Sequence, residues 1–194
     1  MDIRDKCSKL AVIGGAIALV VVLIGSQPIA FAKTKQTNNG SLSGTFVTAN
    51  FSFDGVEPAM LVAFSGTDNV GGPFTGQEVA EYSVTGKSCT APDGSEGIIF
   101  DLVQSVEVVT YQEGQLYTAG AGASAGVGCR SNTTGSFTVS QTHLVTGGTG
   151  RFINASGTYG GISTGQALAA PGTPPGSFGL FGAFQGTESG SVAQ

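Results

Sequence analysis

The chain contains a single histidine, His143, so any mechanism that needs an imidazole base must use this residue. It lies in a β-rich segment, residues 136–145, at the same parity as Phe137, Val139 and Val145. Alternate side chains of a strand share a face, so His143 points inward if these apolar residues do. It could then move a proton or donate a hydrogen bond to a ligand. The commoner arrangement is a partly solvated histidine near a strand end, and the sequence leaves both open.

Asp101 is a second candidate, because it interrupts an apolar segment between Phe100 and Leu102. Alternation places it on the face opposite those two residues, together with Glu107 farther along. Carboxylates are rarely buried unless they are paired. We therefore expect this face, and also Glu81 in an earlier segment, to be solvated. In a barrel the same face could instead be a polar stripe inside the lumen, where Asp101 would serve as an acid or base.

Two segments fit the G-x-S-x-G pattern of esterase nucleophiles, residues 122–126 (G-A-S-A-G) and 161–165 (G-I-S-T-G). That pattern functions on a sharp turn between a strand and a helix. Neither segment is followed by a helical pattern, and a chain with 32 glycines produces this spacing by chance. We do not expect a catalytic serine, and no motif indicates a cofactor.

Three cysteines are present. Cys7 lies in a segment that we expect to be removed, which leaves Cys89 and Cys129 as an even pair. In an oxidising compartment the simplest outcome is one disulfide, which would stabilise the fold by about 3–4 kcal/mol. Two isolated thiols and one histidine, with no closely spaced ligand pair, do not form a four-coordinate zinc site. The sequence therefore predicts a structural disulfide and no metal.

Residues 1–32 have the order of a secretion signal: a basic start, an apolar run over residues 10–25, and an A-F-A triplet that ends at Ala32. The apolar run is shorter than the roughly 18–20 residues that span a bilayer comfortably. We expect cleavage after Ala32, no stable membrane insertion afterwards, and a secreted, periplasmic or extracellular location. An uncleaved membrane anchor is the alternative.

The formal net charge is −5, and acidic residues remain in excess once residues 1–32 are removed. Nucleic acids and anionic membrane surfaces are bound through basic patches. We therefore expect neither as a partner. The composition leaves the oligomeric state open.

Beyond the signal, β-rich segments alternate with glycine-rich turns. Residues 33–40 are expected to form a flexible polar end before a single domain at residues 41–194. Alternation predicts two apolar strand faces: Val47, Ala49, Phe51 and Phe53 in one strand, and Ile98, Phe100, Leu102, Val106 and Val108 in another. A bulge is expected at residues 104–105. About seven to nine antiparallel strands fit an all-β fold, either a closed barrel or a β-sandwich.

Residues 144–159, L-V-T-G-G-T-G-R-F-I-N-A-S-G-T-Y, resemble the G-G-T-G-[RK]-F…A-x-G hairpin of the allene oxide cyclase and dirigent proteins. The resemblance implies an antiparallel closed barrel of about eight strands with a central cavity, and it favours the barrel over the sandwich. Gly147, Gly148 and Gly150 fall in the turn, where positive φ angles are expected. Arg151 holds the family's basic position, where it would pin the turn or reach a carbonyl or carboxylate at the rim.

Three functions fit these observations. The first is an exported, non-enzymatic barrel that binds a small apolar molecule. The second, implied by the resemblance, is an isomerase or a protein that guides a cyclisation by positioning a reactive intermediate. His143, Asp101 and Arg151 are its candidate catalytic residues, although the resemblance carries no catalytic residue onto this chain. The third is a structural surface protein that self-associates through an open sheet edge.

Overall fold

The computed structural model describes residues 34–49, 51–53, 55–56, 58–122, 124–168 and 181–194. The chain divides into two units, Met1–Ala32 and Lys33–Gln194, and the described residues belong to the second. The expected signal peptide, residues 1–32, lies outside the described residues. None of the helical structure among the described residues is long and apolar enough to cross a membrane.

The described residues form one antiparallel sheet of nine strands, and they contain no α-helix. The strands are β1 (Lys35–Thr48), β2 (Met60–Asp68), β3 (Gly72–Thr90), β4 (Glu96–Tyr111), β5 (Gly114–Ala121), β6 (Gly126–Ser131), β7 (Ser136–Gly148), β8 (Ser156–Leu168) and β9 (Phe181–Ala193). A single 3₁₀ turn, Gly150–Phe152, lies between β7 and β8. The predicted all-β class is confirmed.

The strand pairings close on themselves. The order is β3-β2-β1-β9-β8-β7-β5-β4-β6, with additional pairings of β3 with β4 and of β6 with β7. Strands β5 and β6 lie end to end between β4 and β7, because β4 pairs with β5 through residues 104–111 and with β6 through residues 97–101. The nine strands therefore fill eight positions of a ring, and each position has a paired neighbour on both sides.

A bulge in β4 reverses which side chains face the interior. Along the β3–β4 ladder, Glu81 pairs with Gln104 but the next residue, Tyr82, pairs with Leu102. Val103 is therefore an extra residue in β4. An extra residue moves every later side chain of the strand to the opposite face.

The bulge makes the predicted apolar face of β4 wrong in its second half. Val106 and Val108 are 48% and 37% exposed, whereas Glu107 is 6% exposed and faces the interior. The expected solvation of Glu107 is wrong for the same reason. A bulge was predicted at residues 104–105, but the extra residue stands one position earlier, so the change of face was not anticipated.

The predicted flexible end, residues 33–40, is wrong from Lys35 onward. Strand β1 begins at Lys35, and its first residues pair with the end of β9. Polar side chains in this stretch alternate between solvent and interior, as they do in any strand with one solvated face. Asn38 is buried, so this stretch contributes to the interior.

The predicted strand through residues 47–53 is also corrected. Strand β1 ends at Thr48, and its inward face carries Leu42 and Phe46, both of which pack against the core. Val47 and Phe51, which were expected on the apolar face, are about half exposed. The side chains of this strand do alternate, but the face that carries Val47 points outward and the face that carries Phe46 points inward.

Interior phenylalanine rings lie over glycines of the neighbouring strand. Phe64 pairs directly with Gly76, and a Cβ on that glycine would stand 2.0 Å from the ring. The same arrangement recurs for Phe74 over Gly66, Phe100 over Gly128, Phe137 over Gly165, Phe46 over Gly182 and Phe184 over Gly44. A ring that covers a cross-strand glycine supplies the contact that a missing side chain cannot make. These glycines are required for packing.

Two apolar clusters lie in the interior. The first is at the end of the ring where β2 joins β3 and β7 joins β8, and it includes Phe74, Tyr111, Leu116 and Phe152. The second is at the other end and includes Tyr82, Phe100, Leu102, Phe137 and Val139. The space between the clusters is where polar side chains enter the interior.

The predicted disulfide between Cys89 and Cys129 is confirmed. It joins the end of β3 to β6 across 40 residues of sequence, with Cα atoms 6.1 Å apart. Closing a loop of that length removes conformational freedom from the unfolded chain, which corresponds to about 4 kcal/mol.

Replacing Gly128 by alanine should lower the free energy of unfolding by about 1–3 kcal/mol, because the added Cβ would stand 2.1 Å from the buried Phe100 ring. Urea unfolding would measure the loss. Adding Phe100→Leu to Gly128→Ala should cost less than the sum of the single losses, since the shorter side chain makes room for the methyl group. Strictly additive losses would contradict the proposed contact.

Candidate functional site

Four carboxylates face the interior of the ring. They come from four different strands, and each is at most 8% exposed: Asp68, Glu78, Glu107 and Glu188. Burying an ionised carboxylate costs several kcal/mol unless the charge is paired or neutralised. Such groups concentrate at functional sites, so the interior is the candidate site.

Glu78 of β3 and Glu107 of β4 are direct cross-strand partners. Side chains in this relation have Cβ atoms about 5 Å apart, and like charges placed there destabilise a sheet. The bulge at Val103 creates the pair, because without the extra residue Glu107 would face outward. A proton or a cation between the two groups would remove the repulsion.

His143 of β7 lies beside both glutamates. Its Nε2 is 4.0 Å from Glu78 Oε1, and its Nδ1 is 3.6 Å from Glu107 Oε2. The imidazole stacks on the ring of Tyr159, its cross-strand partner in β8, with centroids 5.8 Å apart. His143 is 4% exposed, so the structure places it inside the ring with Phe137 rather than at a solvated strand end.

Each glutamate is held by a neutral hydrogen-bond donor. The Tyr159 hydroxyl donates to Glu107 Oε1. Gln141 Nε2 donates to Glu78 Oε1 at 3.2 Å. The bond from Tyr159 leaves the second oxygen of Glu107 facing His143, so the orientation of the acidic pair toward the imidazole is determined by its neighbours.

The other two carboxylates have separate partners. Asn38 Nδ2 donates to Glu188 Oε2 at 3.3 Å. The Tyr111 hydroxyl donates to Asp68 Oδ2 at 2.6 Å, and Asp68 Oδ1 accepts two backbone N–H groups of the β2–β3 turn. Asp68 therefore holds that turn and the base of the interior, whereas Glu188 is available to the site.

Burial sets the protonation states of the site. It raises the pKa of Glu78 to about 7 and that of Glu188 to about 7. Burial, with the nearby charge of Glu78, raises the pKa of Glu107 well above its ordinary value. Burial lowers the pKa of His143 to about 4. Near neutral pH the site thus holds a neutral imidazole beside carboxyl groups that can exchange protons.

A cavity adjoins this cluster. The cavity has a volume of about 100 Å³, whereas one water needs roughly 10–15 Å³. The cavity is therefore large enough for several waters or a small organic molecule. Its walls are largely aromatic and aliphatic, and they include Phe46, Val62, Phe64, Phe100, Phe137 and Phe184, with Glu78, Glu107 and His143 among the polar residues.

The other predicted carboxylates lie away from this cavity. Asp101 precedes the bulge, is half-buried, and is not part of the cavity wall. Glu81 is fully buried, and Ser52 Oγ and the backbone N–H of Phe53 satisfy its carboxylate by donating to it at 3.1 and 2.6 Å. The expected solvation of Glu81 is therefore wrong, and its role is to hold the segment after β1.

Arg151 pins the turn between β7 and β8. Its guanidinium donates to Glu113 Oε2 at 2.7 Å and to Gln194 Oε1 at 2.8 Å. Gly147 and Gly150 have φ angles of 140° and 58°, in the region that favours glycine. The positive φ expected at Gly148 is not found, because this residue still pairs with Leu116 at the end of β7. The structure places Arg151 in this surface network and outside the cavity wall.

The two G-x-S-x-G serines do not form a nucleophile elbow. Ser124 lies in the turn between β5 and β6, and Ser163 lies within β8 on the cavity side. Among the described residues neither serine is followed by a helix.

Sequence reasoning missed Glu78, Glu107 and Glu188. Glu78 has the parity of the buried Tyr82 on the same strand, so its inward direction could have been read from alternation. Glu188 likewise has the parity of Phe184. Glu107 carried no such signal, because the bulge inverts its parity.

No family model, curated protein or solved structure matches this chain.

The variant Glu188→Gln should become more stable relative to the wild type as the pH rises from about 5 to about 8. The folded-state pKa of Glu188, about 7, exceeds its ordinary value of 4.5. A raised pKa contributes stability at low pH that is lost as the pH rises through the folded-state value. Glutamine cannot ionise but can still accept the bond from Asn38.

Urea unfolding at the two pH values should show a relative gain of up to about 3 kcal/mol for the variant. Glu96→Gln, at an exposed position, is the control and should show much less change. An equal difference between variant and wild type at both pH values would disprove the assignment.

Proposed function

We propose that this protein is an exported β-barrel that binds one small, mainly apolar molecule in its interior. The observation that carries the proposal is the cavity, in which apolar walls surround a few convergent polar groups. Small-molecule sites usually have this composition. An eight-membered ring of strands supports a barrel, whose interior at that size holds packed side chains or one small ligand.

The barrel type we propose is that of the allene oxide cyclase and dirigent proteins. Support comes from the resemblance at residues 144–159 and from the hairpin that β7 and β8 form around this turn. Export is supported by the order of residues 1–32 and by the Cys89–Cys129 disulfide, since such bonds persist in oxidising compartments.

The bound molecule should carry an uncharged oxygen, such as a hydroxyl, carbonyl or ether group. Its apolar part would contact the phenylalanine rings, and its oxygen would reach His143 or Glu78. A neutral imidazole offers one donor and one acceptor, and a protonated carboxyl offers a donor. An anionic group placed against these glutamates would be repelled as they ionise.

The variant Ser163→Phe should abolish binding of a neutral fluorescent probe such as N-phenyl-1-naphthylamine. Ser163 lines the cavity, and a phenyl ring would fill the space. Thr164→Phe is the matched control, because the neighbouring side chain lies on the exposed outer face. Probe fluorescence and urea unfolding would be measured for both variants.

Wild-type protein and the control should bind the probe, and Ser163→Phe should bind at least about tenfold more weakly while remaining folded. If Ser163→Phe does not fold, Val62→Phe fills the cavity from β2. Equal binding by wild type and a folded cavity-filling variant, or no binding by the wild type, would refute the proposal.

A second candidate function is an isomerase. The observation that favours it is a neutral imidazole within 4.0 Å of two glutamates, at the wall of an apolar cavity. One carboxyl could give a proton to an atom of the bound molecule while a carboxylate or the imidazole removes a proton from another. Bonds would shift, and the composition of the molecule would not change.

The isomerase is tested with the molecule extracted from protein purified from its natural host. Wild type and the exposed-site control Glu96→Gln should convert it to a product of identical mass and different chromatographic retention. Glu107→Gln should be at least about 100-fold slower, since the acid–base group is lost. Recovery of unchanged molecule from all three proteins would exclude the isomerase but not the binding function.

A further inference from the structure

We propose that Glu78, Glu107 and His143 form a site for one divalent transition-metal ion, for which Zn²⁺ is the best-fitting probe. The site is built by three strands, β3, β4 and β7, that contribute one ligand each. The proposal goes beyond small-molecule binding and does not depend on it.

The distances suit a metal with short ligand bonds. Each of the three residues offers one ligand atom, and these atoms all lie within 4.8 Å of one another. Ligands of a tetrahedral Zn²⁺ stand roughly 3.3 Å apart, given bonds of about 2.0–2.2 Å. The 3.6 Å contact between His143 Nδ1 and Glu107 Oε2 is close to that spacing, whereas Glu78 Oε1 lies 4.0 Å from the other ring nitrogen, Nε2. Small side-chain rotations would complete it.

A second observation points to a ligand at this place. The Nδ1 atom of His143 is buried and, within the part of the chain that the structure describes, has no hydrogen-bond partner. The residue is more than nine-tenths buried, and Nδ1 points toward Glu107 Oε2. A buried polar atom without a partner costs about 1–3 kcal/mol. A metal bound at this nitrogen would remove that cost.

Both carboxylates also accept a hydrogen bond from a neighbouring side chain, as metal ligands usually do. Carboxylates that bind metals commonly accept a hydrogen bond that fixes their orientation. The Tyr159 hydroxyl supplies it for Glu107, and Gln141 supplies it for Glu78. For Glu107 this bond engages one oxygen and leaves the other facing the imidazole.

Charge and ligand type select the class of ion. Two opposed glutamates carry two negative charges when ionised, which a divalent cation neutralises. Glu188 and Asp68 add two further carboxyl groups to the interior, and Arg130 brings a positive charge to the cavity wall. Ca²⁺ and Mg²⁺ prefer oxygen ligands alone, whereas an imidazole nitrogen favours zinc and its neighbours. Three protein ligands leave a fourth position, and the cavity beside all three residues gives water or a ligand oxygen access to it.

The test uses untagged wild-type protein labelled with ¹⁵N-histidine and treated with EDTA before dialysis. Because the chain has one histidine, the spectrum reports His143 alone. One equivalent of Zn²⁺ should move or replace the imidazole signals, and calorimetry should give one ion per chain. This readout needs no variant, so it stands even if a substitution prevents folding.

The variants His143→Gln, Glu78→Gln and Glu107→Gln should each weaken Zn²⁺ binding at least tenfold, whereas the exposed Glu96→Gln should not. Zinc binding without a change in the His143 signals, or no saturable binding, would overturn the proposal. Loss of zinc binding in a protein that still binds the fluorescent probe would leave the small-molecule function standing. The reverse result would remove that function and keep the metal site.

Discussion

The pairing of β3 with β4 is the interaction on which the rest of the structure depends. It closes the strand order into a ring, so every position of the ring has hydrogen-bonding neighbours on both sides. The same ladder, through the extra residue Val103, sets Glu78 opposite Glu107. A slip of one residue would turn Glu107 outward and bring Val106 inside. Closure and the candidate site therefore depend on one register.

The interior combines rings that are packed closely over glycines with a cavity that is left unfilled. Large rings point inward from most strands, and six of the phenylalanines are accommodated because the facing residue on the next strand is glycine. Larger residues at those positions would overpack the interior. The middle of the ring keeps a cavity, into which the acidic pair and His143 project. Apolar walls strengthen electrostatic interactions at that point, since they lower the local dielectric constant.

The proposals for small-molecule binding, proton transfer and metal binding concern the same few side chains. Buried carboxyl groups need neutralisation, and a proton, a ligand hydroxyl or a cation can each supply it. Which of these is present determines what the cavity can bind. The measurements are separable, because zinc acts on His143 directly and the probe senses the apolar walls.

The sequence by itself determined the all-β class, the Cys89–Cys129 pair and the glycine turn after β7. Alternation, cysteine number and turn chemistry are local properties that the chain carries with it. The parity of His143 with Phe137 allowed an interior position, but the sequence left a partly solvated strand end equally open. Glu78 was readable in the same way, from its parity with Tyr82.

Only the tertiary structure decided which of two alternating faces is inside, and where that choice reverses. In β1 both faces carry apolar residues, and closure of the ring selected Phe46 over Val47. In β4 the bulge inverts parity. Asp101 and Glu107 have the same parity in the sequence, but only Glu107 lines the cavity. The site joins residues from three strands that are far apart in sequence. Their proximity is a property of strand order and register, which side-chain periodicity does not encode.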